Sequence, residues 1–130
     1  MTRICITGGP KTGKTSLARD LMERERIAIG CSFHTDDLME LGWSEASQAA
    51  CAWLDTPGPW IVEGVAVSRA LRKWRDQHPD APPPVDRVIF LTTPHVERLA
   101  GQVAMARGVQ TVHDEIEPWL NEHGITTEYR

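Results

Sequence analysis

A glycine-rich segment near the start of the chain has the residue types that bind a polyphosphate. It reads GGPKTGKTS, and its first eight residues fit the pattern G-x-x-x-x-G-K-T. Glycines let backbone N–H groups point inward at negative charge, and the helix that follows adds the positive end of its dipole. In this pattern the lysine reaches the β- and γ-phosphates and the hydroxyl binds Mg²⁺. The sequence therefore predicts a nucleotide-binding loop, here called the P-loop, made of Gly8, Gly9, Pro10, Lys11, Thr12, Gly13, Lys14, Thr15 and Ser16.

Acidic residues follow two later apolar segments. Asp36 and Asp37 come directly after CSFHT, and Glu63 ends the run WIVE. An alcohol is a poor nucleophile, so a carboxylate within hydrogen-bond reach helps to orient and deprotonate it. Asp36 therefore favours a hydroxyl acceptor with Asp37 beside it, and Glu63 is expected near Mg²⁺ or at the acceptor. The alternatives are that the aspartates only cap the next helix and that Glu63 is a solvated acid at a strand end.

Hydrophobic periodicity indicates strands alternating with helices. Four strands are predicted at residues 3–7, 31–35, 60–64 and 87–92, and ITTEY could form a fifth. The P-loop falls between the first strand and a helix, which is the context that the motif requires. The alternation predicts an α/β fold with one doubly wound parallel sheet of four to five strands, its site at the carboxyl ends of the strands, and residues 1–130 as a single domain.

Capping residues suggest where the later helices begin and end. Ser44 and Ser68 are predicted to start the second and third helices, and Thr93 with Pro94 the fourth. Gly108 is expected to stop the fourth helix. A last helix is then expected from a capping box at Thr111, interrupted or kinked at Pro118.

The order of these motifs resembles the small P-loop kinases of the nucleoside, shikimate, gluconate and polynucleotide 5′-kinase type. The resemblance covers most of the chain: Gly8–Thr15, the acids of TDDL, Ile61–Gly64 and ERLAGQVAMARG. It implies a P-loop NTPase fold and Mg²⁺-dependent transfer of the γ-phosphoryl group of ATP to a hydroxyl. Lys14 and Asp36 would then be catalytic, Asp36 lying by the acceptor, and Thr15 and Glu63 would be at the metal. Arg107 matches the arginine of the lid after the fourth strand best, and Arg98 is the other candidate.

The acceptor is expected to be a nucleoside, a nucleotide or a nucleic acid. Phage kinases that phosphorylate 5-hydroxymethyluracil in DNA resemble this arrangement and are the preferred specific prediction. Arg69, Arg72 and Lys73 share one helical face, which suits an anionic acceptor or simply a solvated surface. Trp43, in a loop-like segment, could stack on a base. A sugar-acid-like metabolite kinase and a regulatory or assembly NTPase that only hydrolyses ATP remain alternatives. The chain has no N-K-x-D segment of the kind with which GTPases bind guanine.

Composition limits the remaining possibilities. The formal net charge of -4 disfavours a basic nucleic-acid-binding surface over the whole protein, although a local patch could exist. The three cysteines are odd in number and widely spaced, which is typical of reduced thiols in the cytoplasm. No apolar run is long enough to span a membrane, and no signal peptide is expected at the N-terminus. A monomer or a dimer is expected.

Overall fold

The computed structural model describes residues 2–130, with the backbone alone at position 39. Its centre is a five-stranded parallel sheet in the order β2-β3-β1-β4-β5. The strands span Arg3–Gly8 (β1), Ser32–His34 (β2), Trp60–Glu63 (β3), Arg87–Leu91 (β4) and Glu128–Tyr129 (β5). The predicted α/β fold with four to five parallel strands is therefore confirmed. β1 lies between β3 and β4, and the chain extends the sheet to opposite sides of it. The loop after β1 therefore opens at the switch point where ligands bind.

Four α-helices cover the two faces of the sheet. They span Lys14–Arg24 (α1), Trp43–Leu54 (α2), Val67–Gln77 (α3) and Ala100–Glu122 (α4). Alternate residues of β1 point to opposite faces: Ile4 and Ile6 pack with α1, whereas Cys5 packs with the other three helices. A sheet buried on both faces explains why its strands are almost entirely apolar. No helix among the described residues is both long and apolar enough to cross a membrane.

The predicted starts of the second and third helices are wrong. Ser44 lies in the first turn of α2, whose N-cap is Gly42 with φ of 87°. Ser68 lies inside α3, whose N-cap is Ala66, and its side chain is buried against Thr7 and His113. A serine side chain accepts from the free N–H groups of a helix only when it stands at the N-cap. The Ser68 hydroxyl instead forms hydrogen bonds with side chains of other elements.

The two predicted helices of the last third are one helix. Residues 92–99 are not helical, and α4 runs for 23 residues through Gly108, Thr111 and Pro118. Glycine and proline inside a helix cost about 1 and about 3 kcal/mol. The buried side chains on one face of α4 offset this cost, since full burial of each large apolar side chain contributes about 1.5–3 kcal/mol. These side chains are Val109, Val112, Ile116 and Leu120.

Candidate nucleotide-binding site

The P-loop connects β1 to α1 at the carboxyl edge of the sheet. Gly13 caps α1 with φ of 86°, a left-handed conformation that side chains disfavour. A Cβ atom at Gly13 would also lie 2.7 Å from the ring of the exposed His95, which would have to shift. The helix that follows begins at Lys14 and presents its free N–H groups to the loop.

Lys14 is folded back onto its own loop. Its Nζ donates to the carbonyl of Gly9 at 2.6 Å and to the hydroxyl of Thr12 at 3.3 Å. Burial lowers the pKa of Lys14 below its ordinary value, while the nearby carboxylates of Glu63 and Asp36 act in the opposite direction. Among the described residues, this buried ammonium contacts a carbonyl and a hydroxyl but no carboxylate, so a phosphate would be a stronger partner.

Glu63 is the central acid of the site. Its side chain is 1% exposed, at the end of β3. Oε1 accepts from Thr15 Oγ1 at 3.2 Å and lies 2.5 Å from His34 Nδ1. Oε2 is buried and has no hydrogen-bond partner among the described residues. Buried acceptors in native proteins nearly always have a partner, so this oxygen is suited to a ligand that the protein binds.

The ends of β2 and β3 are held together beside the P-loop. Gly64 has φ of 142°, and a Cβ there would overlap the side chain of Thr35. This close approach places Asp36 in the same pocket as Glu63, a cavity of about 160 Å³ bounded by P-loop residues 11–16. Asp36 is exposed, whereas Glu63 is buried. Asp37 is exposed too, on the 3₁₀ helix Thr35–Leu41, and is not among the described residues that line this cavity.

The residues at this pocket fit Mg²⁺ bound together with a nucleotide. Mg²⁺ usually takes one or two carboxylates and completes its shell with phosphates and water. The hydroxyl of Thr15 and the unpaired oxygen of Glu63 would supply that limited set. Within residues 2–130, no group of three or more His, Cys, Asp or Glu side chains is placed to hold a metal ion.

Two arginines lie on the other side of the P-loop. Arg98 donates from Nε to the carbonyl of Pro10 at 2.8 Å, and a Cβ on Gly9 would lie 2.7 Å from its guanidinium. Arg107 is exposed on α4 and lines the same cavity of about 230 Å³ as Gly9 and Arg98. Arg98 is thus hydrogen-bonded to the P-loop. It lies in a non-helical segment, although the sequence predicted a helix there. The catalytic assignment of Arg107 stays a prediction.

The basic face of α3 is largely paired within the protein. Arg72 forms an ion pair with Glu115 at 3.1 Å, and Lys73 donates to the carbonyl and hydroxyl of Ser44 at 3.2 Å. Arg69 instead stacks on Trp43, with 4.9 Å from its guanidinium carbon to the ring centroid. Trp43 begins α2 and is not in a loop as expected. The paired residues give little support to a broad anion-binding surface.

His34 also belongs to this site, although the sequence alone does not indicate it. The histidines show no metal-ligand spacing, so their positions in the sequence do not by themselves point to a functional role. The feature that could have identified His34 is its place at the end of a strand. His34 is the last residue of β2, and the carboxyl ends of parallel strands meet at the same edge of the sheet. Only the pairing of β2 with β3, which sets His34 opposite Glu63, makes the contact visible.

Comparison with known proteins agrees with this geometry. The family model described as "50S ribosome-binding GTPase" matches residues 3–126, which is nearly all of the chain. No curated protein matches the sequence. The kinase resemblance and this family share the P-loop, and the matched family supports binding of a nucleotide with Mg²⁺. The chain therefore belongs to the 50S ribosome-binding GTPase family, within the P-loop NTPases.

Proposed function

We propose that this protein is a kinase that transfers the γ-phosphoryl group of a nucleoside triphosphate, with ATP as the donor, to a hydroxyl. One observation carries the proposal: two carboxylates face the phosphate-binding pocket at different depths. Glu63 is buried against Thr15, and Asp36 is exposed at the pocket's edge. The buried carboxylate suits the metal, and the exposed one can meet an acceptor that arrives from solvent.

The chemical step follows from these positions. The acceptor oxygen attacks the γ-phosphorus, and the bond from that phosphorus to the β–γ bridging oxygen breaks. The diphosphate leaves, and the proton of the hydroxyl passes to Asp36. Lys14 and an arginine near the loop neutralise the negative charge of the transferring group. Mg²⁺ supplies further charge neutralisation when it is bound with the nucleotide.

The replacement of Asp36 by asparagine tests the proposal. Asp36→Asn keeps the size of the side chain and removes the proton acceptor, so phosphoryl transfer should fall about 10²–10⁴-fold. Nucleotide binding should persist, because Lys14 and the loop amides are unchanged. Glu40→Gln is the control, since it removes a charge from an exposed acid of the same 3₁₀ helix. Transfer by Asp36→Asn at the wild-type rate contradicts the proposed base.

Hydrolysis of the nucleotide without an acceptor is the second candidate function. The match to a GTPase family favours it. The absence of N-K-x-D favours ATP over GTP. Phosphate release measured with and without nucleoside, sugar-acid and oligonucleotide acceptors separates the two functions. Turnover that no acceptor increases supports the hydrolase. Competition between ATP and GTP for binding identifies the donor.

The acceptor is proposed to be small rather than a polymer. Arg72 and Lys73 are already paired, and the net charge is negative. Phosphorylation of 5-hydroxymethyluracil in DNA stays a prediction that the acceptor series can test directly.

A further inference from the structure

A second cavity lies between α2, α3 and α4. It has a volume of about 270 Å³ and is lined by Trp43, Arg69, Gly101, Ala104, Met105, Gly108 and Val109. Trp43 and Met105 pack with Val65, which follows β3, and with Phe90 near the end of β4. The cavity is therefore at the carboxyl edge of the sheet, on the same side as the P-loop.

Arg69 brings an unused hydrogen-bond donor to this cavity. Its Nε is buried and has no acceptor among the described residues. The guanidinium stacks on Trp43, and no ion pair with an acid holds it in the described part of the chain. Stacking uses the face of the guanidinium and leaves its N–H groups in the plane free for an anion. A ligand with an oxyanion would provide the missing acceptor, and charge-assisted hydrogen bonds of this kind are strong.

The wall of the cavity that α4 forms has open space next to its two glycines. Gly101 and Gly108 lie seven residues apart on it, and a Cβ on either would meet no atom within 4 Å. Alanine would thus fit at both positions and would favour the helix more than glycine does. Protein packing therefore does not require either glycine, whereas a ligand in the cavity would use the space. Met105 and Val109 add apolar surface for a flat ring.

We propose that this cavity binds the hydroxyl acceptor, and that the acceptor is a nucleoside monophosphate. The inference rests on the kinase function proposed above. The base packs against Trp43 and Met105, and the phosphate accepts hydrogen bonds from Arg69. The volume is close to the lower end of the roughly 300–1,000 Å³ of small-molecule sites, which suits the size of one nucleotide.

Binding without chemistry tests the cavity independently of catalysis. We would measure affinity by calorimetry with the P-loop filled by Mg²⁺ and a non-hydrolysable imido analogue of ATP. The probes are thymidine 3′- and 5′-monophosphate, thymidine without a phosphate, and ribose 5-phosphate without a base. At least one monophosphate should bind more tightly than both partial ligands. Equal affinity of ribose 5-phosphate and the monophosphates would overturn the base-binding part of the proposal.

Substitutions at Arg69 and Trp43 should reduce this affinity separately. Arg69→Gln should weaken monophosphate binding by about 10- to 100-fold and should leave thymidine binding nearly unchanged. Arg75→Gln is the matched control on the same helix, where Arg75 pairs with the neighbouring Asp76. Trp43→Leu should weaken binding of the three base-containing ligands by roughly 5- to 100-fold, and Trp43→Phe should restore part of the loss. An equal loss in the Arg69 and Arg75 variants would indicate only a general charge effect and overturn the site.

A substitution that fills the cavity gives the sharpest test. Gly108→Leu adds a good helix former where the space is open, so the protein should remain folded while monophosphate binding is lost. Wild-type affinity in folded Gly108→Leu would overturn the proposal. Tight monophosphate binding without transfer from ATP would instead support the cavity and contradict the kinase function. Transfer to a nucleoside monophosphate with wild-type KM in Arg69→Gln would support the kinase and contradict the cavity.

Discussion

Two polar clusters lie close to the end of β1, and they differ in how completely the hydrogen bonds of their buried groups are satisfied. The phosphate-side cluster consists of Lys14, Thr15, His34 and Glu63. The core polar cluster consists of Thr7, Ser68, His113 and Thr127, all of which are buried. Thr7 directly precedes the P-loop, and the P-loop contains Lys14 and Thr15, so the two clusters are connected by a short stretch of backbone.

The core polar cluster forms a continuous, linear chain of hydrogen bonds from Thr7 to Thr127. Thr7 Oγ1 lies 2.7 Å from Ser68 Oγ, which lies 3.2 Å from His113 Nδ1. His113 Nε2 lies 2.9 Å from Thr127 Oγ1. A neutral imidazole has one donor and one acceptor nitrogen, and each has a partner here. The cluster joins β1, α3, α4 and the segment before β5, so its effect is structural.

The phosphate-side cluster leaves groups without partners. Glu63 Oε2 has none in the described structure, and Lys14 is held by a carbonyl and a hydroxyl instead of a carboxylate. Incomplete pairing of buried groups lowers stability, whereas a ligand that completes it gains binding energy. We therefore expect substitutions in the phosphate-side cluster to change ligand binding and catalysis. Substitutions in the core polar cluster should change stability.

Lys14→Ala should have the largest effect on activity. Loss of the charge at the β- and γ-phosphates should reduce transfer or hydrolysis about 10²-fold or more. The free energy of unfolding should hardly fall, because the variant removes a buried charge with no ion-pair partner in contact. Turnover with saturating nucleotide and a denaturant titration measure the two quantities. Wild-type turnover in folded Lys14→Ala would rule out this nucleotide site.

Glu63→Gln should change the requirement for Mg²⁺. The amide keeps the shape but loses the charge, so the Mg²⁺ concentration needed for tight nucleotide binding should rise roughly 10- to 100-fold. Stability should stay the same or increase, since an incompletely paired buried charge is removed. Mg²⁺ titrations with a fluorescent nucleotide measure the shift, and Glu45→Gln at an exposed position of α2 is the control. An unchanged Mg²⁺ requirement would remove Glu63 from the metal site.

Ser68→Ala should lower stability without changing Mg²⁺ dependence. Thr7 and His113 each lose a buried partner, which should cost about 1–3 kcal/mol. Urea denaturation measures the loss. If instead the variant is as stable as the wild type and binds nucleotide less well, then the core polar cluster belongs functionally to the nucleotide site.

The pH dependence of stability should show a smaller effect from His113. Burial lowers the pKa of His113 below its ordinary value, although Glu117 and Asp114 act to raise it. The unfolded chain then binds the proton more readily than the folded one. The contribution of His113 is fully present above about pH 6.5 and is lost as the pH falls from there towards the folded pKa.

The contribution of His113 can be isolated by comparing the pH dependence of stability in the wild type and in a variant without this histidine. Denaturation of wild type and His113→Gln across pH 5–8 should show that stability falls more steeply on acidification in the wild type than in the variant. Parallel pH profiles would mean that protonation of His113 does not affect folding.

Local patterns in the sequence determined the P-loop and the alternation of strands and helices. The loop, its preceding strand and its following helix are contiguous, so short-range spacing suffices to identify them. The apolar runs at Trp60–Glu63 and Arg87–Leu91 are likewise readable, because strands buried on both faces have few polar positions. The acids at the ends of β2 and β3 could be placed at one edge from strand direction alone.

Contacts between distant residues were decided only by the tertiary structure. Arg98 and Pro10 are 88 residues apart, Ser68 and His113 are 45 apart, and His34 and Glu63 are 29 apart. Each pair depends on how strands are ordered and how helices cross, which no local window of sequence contains. The same reason explains α4: Gly108 and Pro118 are locally unfavourable, but one continuous apolar face against the sheet contributes more than they cost.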